Sequence, residues 1–229
     1  MIPFSVFLSL HVSSGIALIF DMDGVIIDSN PIHTVAWKRY LARFDRDIPD
    51  LEQRMYGRRN DEIVREFFGP SLTAAEVTRH GAEKERLYRE LMTLEVKERL
   101  VPGVVEFIRS AAGIPLALAT NAEPANVSFV LEAAGIADNF HAVIDGHQVE
   151  FAKPHPEIYL KAAELLLTPP ENCIVFEDSY AGTEAARRAG ARVVGVTTSH
   201  AAFPDADFAI RDFQDLELRP WLSQQRPRS

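Results

Sequence analysis

The fold of this chain is decided by the stretch IALIFDMDGVIIDS, residues 16–29. Its first five residues are all apolar, which is typical of a β-strand buried in a parallel sheet. Asp21 and Asp23 follow this strand, and Gly24 then allows the chain to turn. Ligands bind at the carboxyl ends of strands in such sheets, and side chains two apart in an extended chain point the same way. We therefore expect both carboxylates to lie in one site.

Further short apolar segments follow this first strand, at residues 114–119, 142–144, 174–176, 192–196 and 208–210. Helices are expected between several of them because a proline near the start and a glycine past the end delimit stretches of helical length. The clearest examples are residues 102–113, 124–135 and 180–190. The alternation of strands and helices predicts an α/β fold in which helices cover a parallel sheet.

The stretch between the first two strands is too long for one crossover helix and shows no strand pattern. We therefore predict a sheet core formed by residues 1–30 and 101–229, and an inserted helical domain formed by residues 31–100. Within the insertion, Leu87, Leu91 and Leu94 recur at helical spacing. The charged side chains that alternate with them over residues 84–90 are expected to form a solvent-exposed face.

The balance of charge limits the possible partners of the chain. Its 229 residues include 24 Lys and Arg and 33 Asp and Glu, which gives a formal net charge of −9. Such a chain offers no basic surface for nucleic acid or for an anionic membrane. Residues 31–100 hold 14 basic and 13 acidic residues, whereas the remainder holds 10 basic and 20 acidic residues. An acidic core that handles an anionic substrate would need a bound cation, so we expect a metal site.

The cellular location is predicted from the cysteine content and the N-terminal residues. Cys173 is the only cysteine, which excludes an intramolecular disulfide and favours the cytoplasm, and we expect its side chain to lie in the core. No apolar stretch is long enough to cross a membrane. Residues 1–15 are expected to form an extension before the first strand, and an export signal is the alternative.

Polar side chains also follow other predicted strands. Thr120 and Asn121 can hydrogen-bond an anionic oxygen, Lys153 supplies a compact cation, and Glu177 and Asp178 supply more hard oxygen ligands. A pair such as Asp21 and Asp23 suits a nucleophile with a proton-transferring partner, although two aspartates can also merely cap a turn. The convergence of acids, a hydroxyl and a lysine on one sheet edge favours catalysis.

The order of these residues resembles that of the haloacid dehalogenase-like superfamily. Four short motifs match its pattern, namely Asp21-x-Asp23-Gly24, Thr120, Lys153-Pro154 and Glu177-Asp178-Ser179 with Gly182. The resemblance covers residues from about 17 to 211 and implies a Rossmann-like core. The insertion, residues 31–100, resembles the helical cap domain of the subgroup that includes beta-phosphoglucomutase and small sugar-phosphate phosphatases, which implies that residues 1–30 and 101–229 form the catalytic core. The segments DGVIIDS and FEDSYAG are also similar to that subgroup.

The resemblance implies a role for each motif. Asp21 would attack phosphorus to form an aspartyl-phosphate, and Asp23 would protonate the leaving oxygen and later deprotonate water. Mg²⁺ would be bound by Asp21, Asp178 and the backbone carbonyl of Asp23, with Glu177 supporting the ligands. Stabilisation of the phosphoryl oxygens would come from Thr120, the backbone of Asn121 and Lys153.

The candidate substrate-binding residues of the cap are single residues and not parts of the four motifs. His33 matches a cap-hinge histidine of the mutase-like relatives, although a histidine near a helix start is commonly structural. A lysine precedes the glycine of the mutase cap loop and an arginine follows three residues after it, but this chain has Tyr56-Gly57-Arg58-Arg59-Asn60 at that place. Arg58 or Arg59 could substitute by binding a second phosphate. Trp37 and Tyr40 are expected to be packing residues.

The resemblance predicts an enzyme that hydrolyses a small phosphorylated metabolite, with a sugar phosphate as the expected class, Mg²⁺ as cofactor and no obligate protein partner. A phosphomutase of the beta-phosphoglucomutase type is the alternative. Dehalogenase activity is disfavoured because relatives that perform it generally lack the second aspartate, Asp23 here. A binding module without activity would not need the whole set of motifs. Nucleotide-binding motifs of the G-x-x-x-x-G-K-[ST] and G-x-G-x-x-G types are absent from the sequence.

Overall fold

The structure, a computed structural model, describes residue 10 and residues 13–228. The predicted extension over residues 1–15 therefore lies mostly outside the described residues. Leu10 is buried, and its backbone N–H donates to the carbonyl oxygen of Ser110 at 2.9 Å. No helix in the described part of the chain is long and apolar enough to span a membrane.

Six parallel strands form one sheet in the order β3-β2-β1-β4-β5-β6. They are β1 (Ala17–Phe20), β2 (Leu116–Ala119), β3 (Ala142–Ile144), β4 (Cys173–Glu177), β5 (Arg192–Val196) and β6 (Phe208–Ile210). Each lies at a predicted apolar segment, so the predicted α/β fold with a parallel sheet is confirmed. Phe20 pairs with Leu118 of β2 and with Phe176 of β4, which brings the carboxyl ends of three strands together.

Helices cover both faces of this sheet. They include α5 (Val104–Ser110), α6 (Pro124–Ala134), α7 (Glu157–Leu165), α8 (Tyr180–Arg188) and α9 (Leu218–Gln224), numbered after the four helices of the insertion. On one face Phe20 stacks on Phe176 with ring centroids 4.7 Å apart, and on the other Ile19 packs in a cluster with Tyr159 and Ala185. Burial on both faces explains why the strands are continuously apolar.

The insertion between β1 and α5, which the structure describes in full, contains helices and no strand. Its helices are α1 (Asn30–Ala42), α2 (Leu51–Met55), α3 (Asn60–Phe68) and α4 (Ala74–Met92). Thr73 and Glu76 form a capping box at the start of α4. Trp37 and Tyr40 are buried among aromatic side chains, as expected for packing residues. The division into a core and a cap at residues 31 and 100 stays a prediction.

The helical pattern around residues 84–96 is only partly correct. Helix α4 ends at Met92, and Leu94 is 86% exposed instead of continuing an apolar stripe. The chain turns here because it must return to the sheet, where Leu100 bridges to Ile27 and the N–H of Val101 donates to Ile26 O at 3.0 Å.

Candidate active site

The predicted site residues of the core converge at the carboxyl edge of the sheet. Asp21 follows β1, Thr120 follows β2, and Glu177 is the last residue of β4. The N–H of Asp21 donates to the carbonyl oxygen of Phe176 at 3.0 Å, so β1 and β4 remain paired up to the site. Lys153 reaches the same edge from the loop that follows β3.

Lys153 lies at the centre of this group. Its Nζ donates to Asp21 Oδ1 at 2.8 Å, to Glu177 Oε1 at 2.6 Å and to Ala119 O at 3.0 Å. Burial disfavours the charged amine, but Asp21 and Glu177 outweigh it and raise the pKa of Lys153 above its ordinary value. Lys153 therefore stays protonated and fixes the orientation of the Asp21 carboxylate.

Three buried carboxylates, Asp21, Glu177 and Asp178, each place an oxygen within 4.8 Å of the others. Burial raises the pKa of Asp21 to about 7, with Lys153 opposing and Glu177 and Asp23 adding to the rise. Burial, followed by the charges of Glu177 and Asp21, raises the pKa of Asp178 well above its ordinary value. A cluster of acids whose charges repel one another suits a divalent cation.

The backbone around this acidic cluster also fits a bound cation. A Cβ atom on Gly24 would lie 1.8 Å from Asp178 Oδ2, so the turn after Asp23 approaches that carboxylate as closely as only glycine permits. The φ angle of Gly24 is +76°, a conformation that also favours glycine. The donors are hard oxygens, which Mg²⁺ prefers over nitrogen or sulfur.

Glu177 is saturated with hydrogen bonds from the protein. Its Oε1 accepts from Lys153 and from Tyr159 Oη at 2.6 Å, and its Oε2 accepts from the backbone N–H groups of Asp178 and Ser179, both at 3.1 Å. A Cβ atom on Gly182 would lie 1.8 Å from Glu177 Oε1, so this glycine makes room for the carboxylate. The geometry makes Glu177 a residue that orients its neighbours.

Asp23 is held by residues at the start of α1. Its Oδ1 accepts from Ser29 Oγ at 2.5 Å and lies 3.7 Å from His33 Nε2. Burial would raise the pKa of Asp23, but the His33 ring and the Ser29 hydroxyl outweigh it and keep the pKa below its ordinary value. The His33 ring stacks on Tyr88 of α4 with centroids 3.8 Å apart, which fixes it beside Asp23.

The charged run of α4 corrects one prediction. Lys84 and Glu85 were expected on a solvent-exposed face, but they are only 1% and 3% exposed and form a buried ion pair. Lys84 Nζ also lies 3.2 Å from His33 Nδ1. The signal that could have identified them is their helical spacing, because Val77, Gly81, Lys84 and Tyr88 lie on one face of α4 and all are buried.

Glu85 connects three parts of the structure. Besides Lys84, it accepts hydrogen bonds from Asn60 Nδ2 of α3 at 2.6 Å and from Asn126 Nδ2 of α6 at 2.8 Å. Burial would raise the pKa of Glu85, but Lys84, His33 and Asn126 lower it to about 2. Glu85 is therefore a buried carboxylate that stays ionised at neutral pH.

The remaining predicted residues differ in their placement. Thr120 and Asn121 line the cavity above the sheet edge, and Asn121 Nδ2 donates to Gly57 O at 3.0 Å. Arg58 also lines it, but its guanidinium is paired with Glu62 and Glu66. Arg59 is not among the described lining residues.

The guanidinium of Arg59 contacts backbone of the core. Its nitrogens donate to the carbonyl oxygens of Val149 at 2.9 Å and Glu150 at 3.3 Å. Arg59 thereby links the start of α3 to the loop before Lys153. The sequence did not indicate this contact because the acceptors are backbone atoms.

The cavity has a volume of about 510 Å³ and is lined by both the sheet edge and the helical insertion. Two lining residues that the sequence did not indicate, Ser199 and Asn30, contact the acidic cluster. Ser199 Oγ donates to Asp178, and Asn30 Nδ2 donates to Asp178 Oδ2 at 3.4 Å and to Ser199 Oγ at 2.7 Å. Both lie in loop or helix-start positions without a pattern of their own. Cys173 is buried in the core, as predicted.

Comparisons with known proteins place this arrangement in a family. The family model of the haloacid dehalogenase-like hydrolases matches residues 17–190. The chain is 32% identical over 214 residues to beta-phosphoglucomutase of Bacillus subtilis, covering 88% of this chain and 92% of the relative. It is 36% identical over 196 residues to a phosphorylated carbohydrates phosphatase of Thermotoga maritima, covering 80% and 86%.

Solved structures of similar fold agree with these matches. A beta-phosphoglucomutase of Clostridium difficile superposes with a TM-score of 0.78 and 28% identity, covering 90% of this chain and 96% of that one. A mutant of the CbbY protein of Rhodobacter sphaeroides, in complex with xylulose-(1,5)bisphosphate, superposes with a TM-score of 0.74 and 28% identity, covering 87% and 95%. The chain therefore belongs to the haloacid dehalogenase-like hydrolases, which confirms the resemblance of its four motifs.

Proposed function

We propose that this chain is a Mg²⁺-dependent phosphatase that hydrolyses a small phosphorylated metabolite, with a sugar phosphate as the preferred class. The observation that carries the proposal is the bridge that Lys153 Nζ makes between Asp21 Oδ1 and Glu177 Oε1, at 2.8 and 2.6 Å, beside the acidic cluster. A buried nucleophile, a fixed cation and oxygen ligands are what phosphoryl transfer requires. The names of relatives that act on phosphorylated carbohydrates support the substrate class.

In the proposed reaction, a carboxylate oxygen of Asp21 attacks phosphorus as the bond between phosphorus and the leaving oxygen breaks. Asp23 gives its proton to that oxygen and, as a carboxylate, takes a proton from the water that hydrolyses the aspartyl-phosphate. The pKa of Asp23 lies below its ordinary value, so the side chain is in the carboxylate form that accepts a proton from water. A bound phosphate dianion raises the pKa of a nearby carboxyl, which favours the protonated form of Asp23 that donates to the leaving oxygen.

Mg²⁺ would be bound by Asp21, Asp178 and the backbone carbonyl of Asp23. Glu177 would orient Asp178 by accepting a hydrogen bond from the backbone N–H of Asp178. When bound, the cation neutralises charge on the phosphoryl oxygens. The same oxygens would be contacted by the side chains of Lys153 and Thr120 and by the backbone of Asn121 as charge shifts during transfer.

The helical segment 31–100 would act as a cap over the core of residues 1–30 and 101–229 and exclude bulk water. His33 would position Asp23 from the cap, because its ring is fixed by Tyr88 and lies beside the carboxylate. We also place the enzyme in the cytoplasm, which its single cysteine favours. The alternative, a phosphomutase, is supported by the names of two similar proteins.

Hydrolysis of p-nitrophenyl phosphate with and without Mg²⁺ tests the proposal. Asp21→Asn is expected to lower turnover by at least about 10³-fold while leaving the fold intact, because an amide is a poor nucleophile. Asp145→Asn is the matched control, since Asp145 is a buried aspartate that follows β3 and does not line the described cavity. Normal phosphate release by Asp21→Asn, or release independent of Mg²⁺, would contradict the proposal.

Incubation with beta-glucose 1-phosphate and a bisphosphate primer separates the two activities. A phosphatase releases inorganic phosphate, whereas a mutase isomerises the sugar phosphate without net release. We expect release of phosphate.

A further inference from the structure

The part of the cavity formed by the helical insertion carries two basic side chains, Arg58 and Lys84, and two carboxylates, Glu52 and Glu85. The third lysine or arginine among the described lining residues, Lys153, belongs to the acidic cluster at the sheet edge. Arg58 and Lys84 are therefore the lysine and arginine side chains of this part that a second phosphate on a substrate could reach. The partners of these two side chains decide whether either could do so.

Lys84 is already neutralised in the structure. Its Nζ pairs with Glu85 in a buried position and lies 5.1 Å from the centroid of the Trp37 ring. Glu85 is held in turn by Asn60 and Asn126, so the carboxylate cannot move away without losing these hydrogen bonds. A phosphate at Lys84 would face an ionised carboxylate, and like charges that close repel strongly.

Arg58 is also occupied. Its Nη1 donates to Arg54 O at 2.8 Å and pairs with Glu66, and its Nε donates to Glu62 Oε2 at 3.4 Å. Glu66 also pairs with Arg54 at 2.6 Å, so two carboxylates balance two guanidinium groups and Arg58 carries no uncompensated charge. The pairs are partly exposed, so they are weaker than the Lys84 pair and easier to alter without harm to the fold.

Neutral polar groups complete this part of the cavity. Asn60, Asn121 and Asn126 line it, and amides donate to and accept from hydroxyl groups. Asn121 Nδ2 is engaged by Gly57 O, whereas no donor in the described part of the chain reaches its buried Oδ1. An unsatisfied acceptor favours a ligand with hydroxyl donors.

We propose that the cavity accepts the monophosphate ester of an uncharged, polyhydroxylated molecule and excludes a bisphosphate, with Glu85 as the specificity-determining residue. This inference rests on the proposed phosphatase function and narrows its substrate. It separates the chain from the CbbY protein, whose structure contains xylulose-(1,5)bisphosphate. It also disfavours mutase turnover, because a phosphomutase that works through a phosphorylated enzyme must hold a sugar bisphosphate.

The test compares kcat/KM for matched pairs of substrates, namely glucose 1-phosphate with glucose 1,6-bisphosphate and fructose 1-phosphate with fructose 1,6-bisphosphate. The wild-type enzyme is expected to prefer at least one monophosphate over its bisphosphate by about tenfold or more, because the second phosphate meets Glu85. Equal rates within each pair overturn the inference. So does a failure to hydrolyse either sugar monophosphate while p-nitrophenyl phosphate is cleaved, and in both cases the phosphatase function stands.

Variants show whether the paired cations set the preference. Glu85→Gln leaves Lys84 without its carboxylate and is expected to reduce the preference about tenfold. Glu66→Gln, at a partly exposed residue outside the described cavity lining, removes one partner of Arg58 and is expected to reduce it in the same direction.

Glu90→Gln is the control, since Glu90 pairs with Arg86 on the exposed side of α4 and should leave the preference unchanged. An unchanged preference in folded Glu85→Gln overturns the assignment, whatever the result for Glu66→Gln. If Glu85→Gln does not fold, an unchanged preference in Glu66→Gln overturns it. Absence of Mg²⁺-dependent cleavage of p-nitrophenyl phosphate by the wild type would instead reject the phosphatase function itself.

Discussion

Replacement of Lys153 by methionine removes the cation that bridges two buried carboxylates. The Lys153 side chain is 3% exposed and donates to Asp21 at 2.8 Å and to Glu177 at 2.6 Å. Removal of one partner from a buried ion pair costs about 3–5 kcal/mol because the remaining charge loses its compensation. We expect Lys153→Met to lower the free energy of unfolding by this amount at pH 8 in the presence of EDTA.

The cost should depend on pH in a defined direction. The pKa of Asp21 is already raised from 3.8 to about 7 by burial, although Lys153 opposes the rise. A raised carboxyl pKa favours the folded state below the unfolded pKa, and this contribution is lost as the pH rises through the folded pKa. Without Lys153 the pKa of Asp21 rises further, so the variant should lose least at pH 5 and most at pH 8.

Urea unfolding followed by tryptophan fluorescence at pH 5 and pH 8 measures both quantities. Lys161→Met provides the control, because Lys161 Nζ makes a surface hydrogen bond to Gln148 O. We expect the control to change the free energy of unfolding by less than about 0.5 kcal/mol at either pH. A cost below about 1 kcal/mol for Lys153→Met at pH 8, or one equal at both pH values, would show that Lys153 does not compensate these carboxylates.

Three other substitutions or treatments test separate contacts. Gly24→Ala places a Cβ atom against Asp178 and should lower Mg²⁺ affinity, measured by calorimetry, by at least about tenfold. The Cys173 thiol, whose pKa burial raises to about 12, should not react with a disulfide reagent at pH 8 in the folded protein but should react in urea, and prompt reaction without urea would contradict its burial. Asn126→Ala leaves Glu85 without one donor and should cost about 1–3 kcal/mol in urea unfolding, and no loss would contradict the contact.

The sheet and its catalytic edge could be predicted because their signals are local. The strand before Asp21 is a continuous apolar run, and parallel pairing brings the end of each strand to one edge. Asp21, Lys153 and Asp178 each lie in a short motif that follows a strand or its loop. In the structure these residues lie together at the carboxyl edge of the sheet.

The insertion was harder to predict because its contacts are long-range. Lys84 and Glu85 are charged and adjacent to other charges, and only packing against His33 and Asn126 buries them. Arg59 points to backbone carbonyls more than eighty residues away, which no pattern in the sequence encodes. The sequence therefore showed which charged residues the insertion contains, but not the direction in which their side chains point.

The hydrogen-bond donors around the acidic cluster were also not predictable from local sequence patterns. Ser199 and Asn30 contact Asp178 or one another from segments without a regular pattern, and the sequence alone did not indicate them. Their positions depend on the loop after β5 and on the start of α1. The contacts of such loop residues are set by the tertiary structure and not by a local sequence pattern.

Rapid acid quenching during turnover of a radiolabelled phosphate ester, followed by peptide mapping, tests the central role of Asp21 most directly. We expect transient label on the peptide that contains Asp21 and none on the same peptide of Asp21→Asn. Label on another peptide, or full turnover by Asp21→Asn without any labelled enzyme, would contradict this role of Asp21.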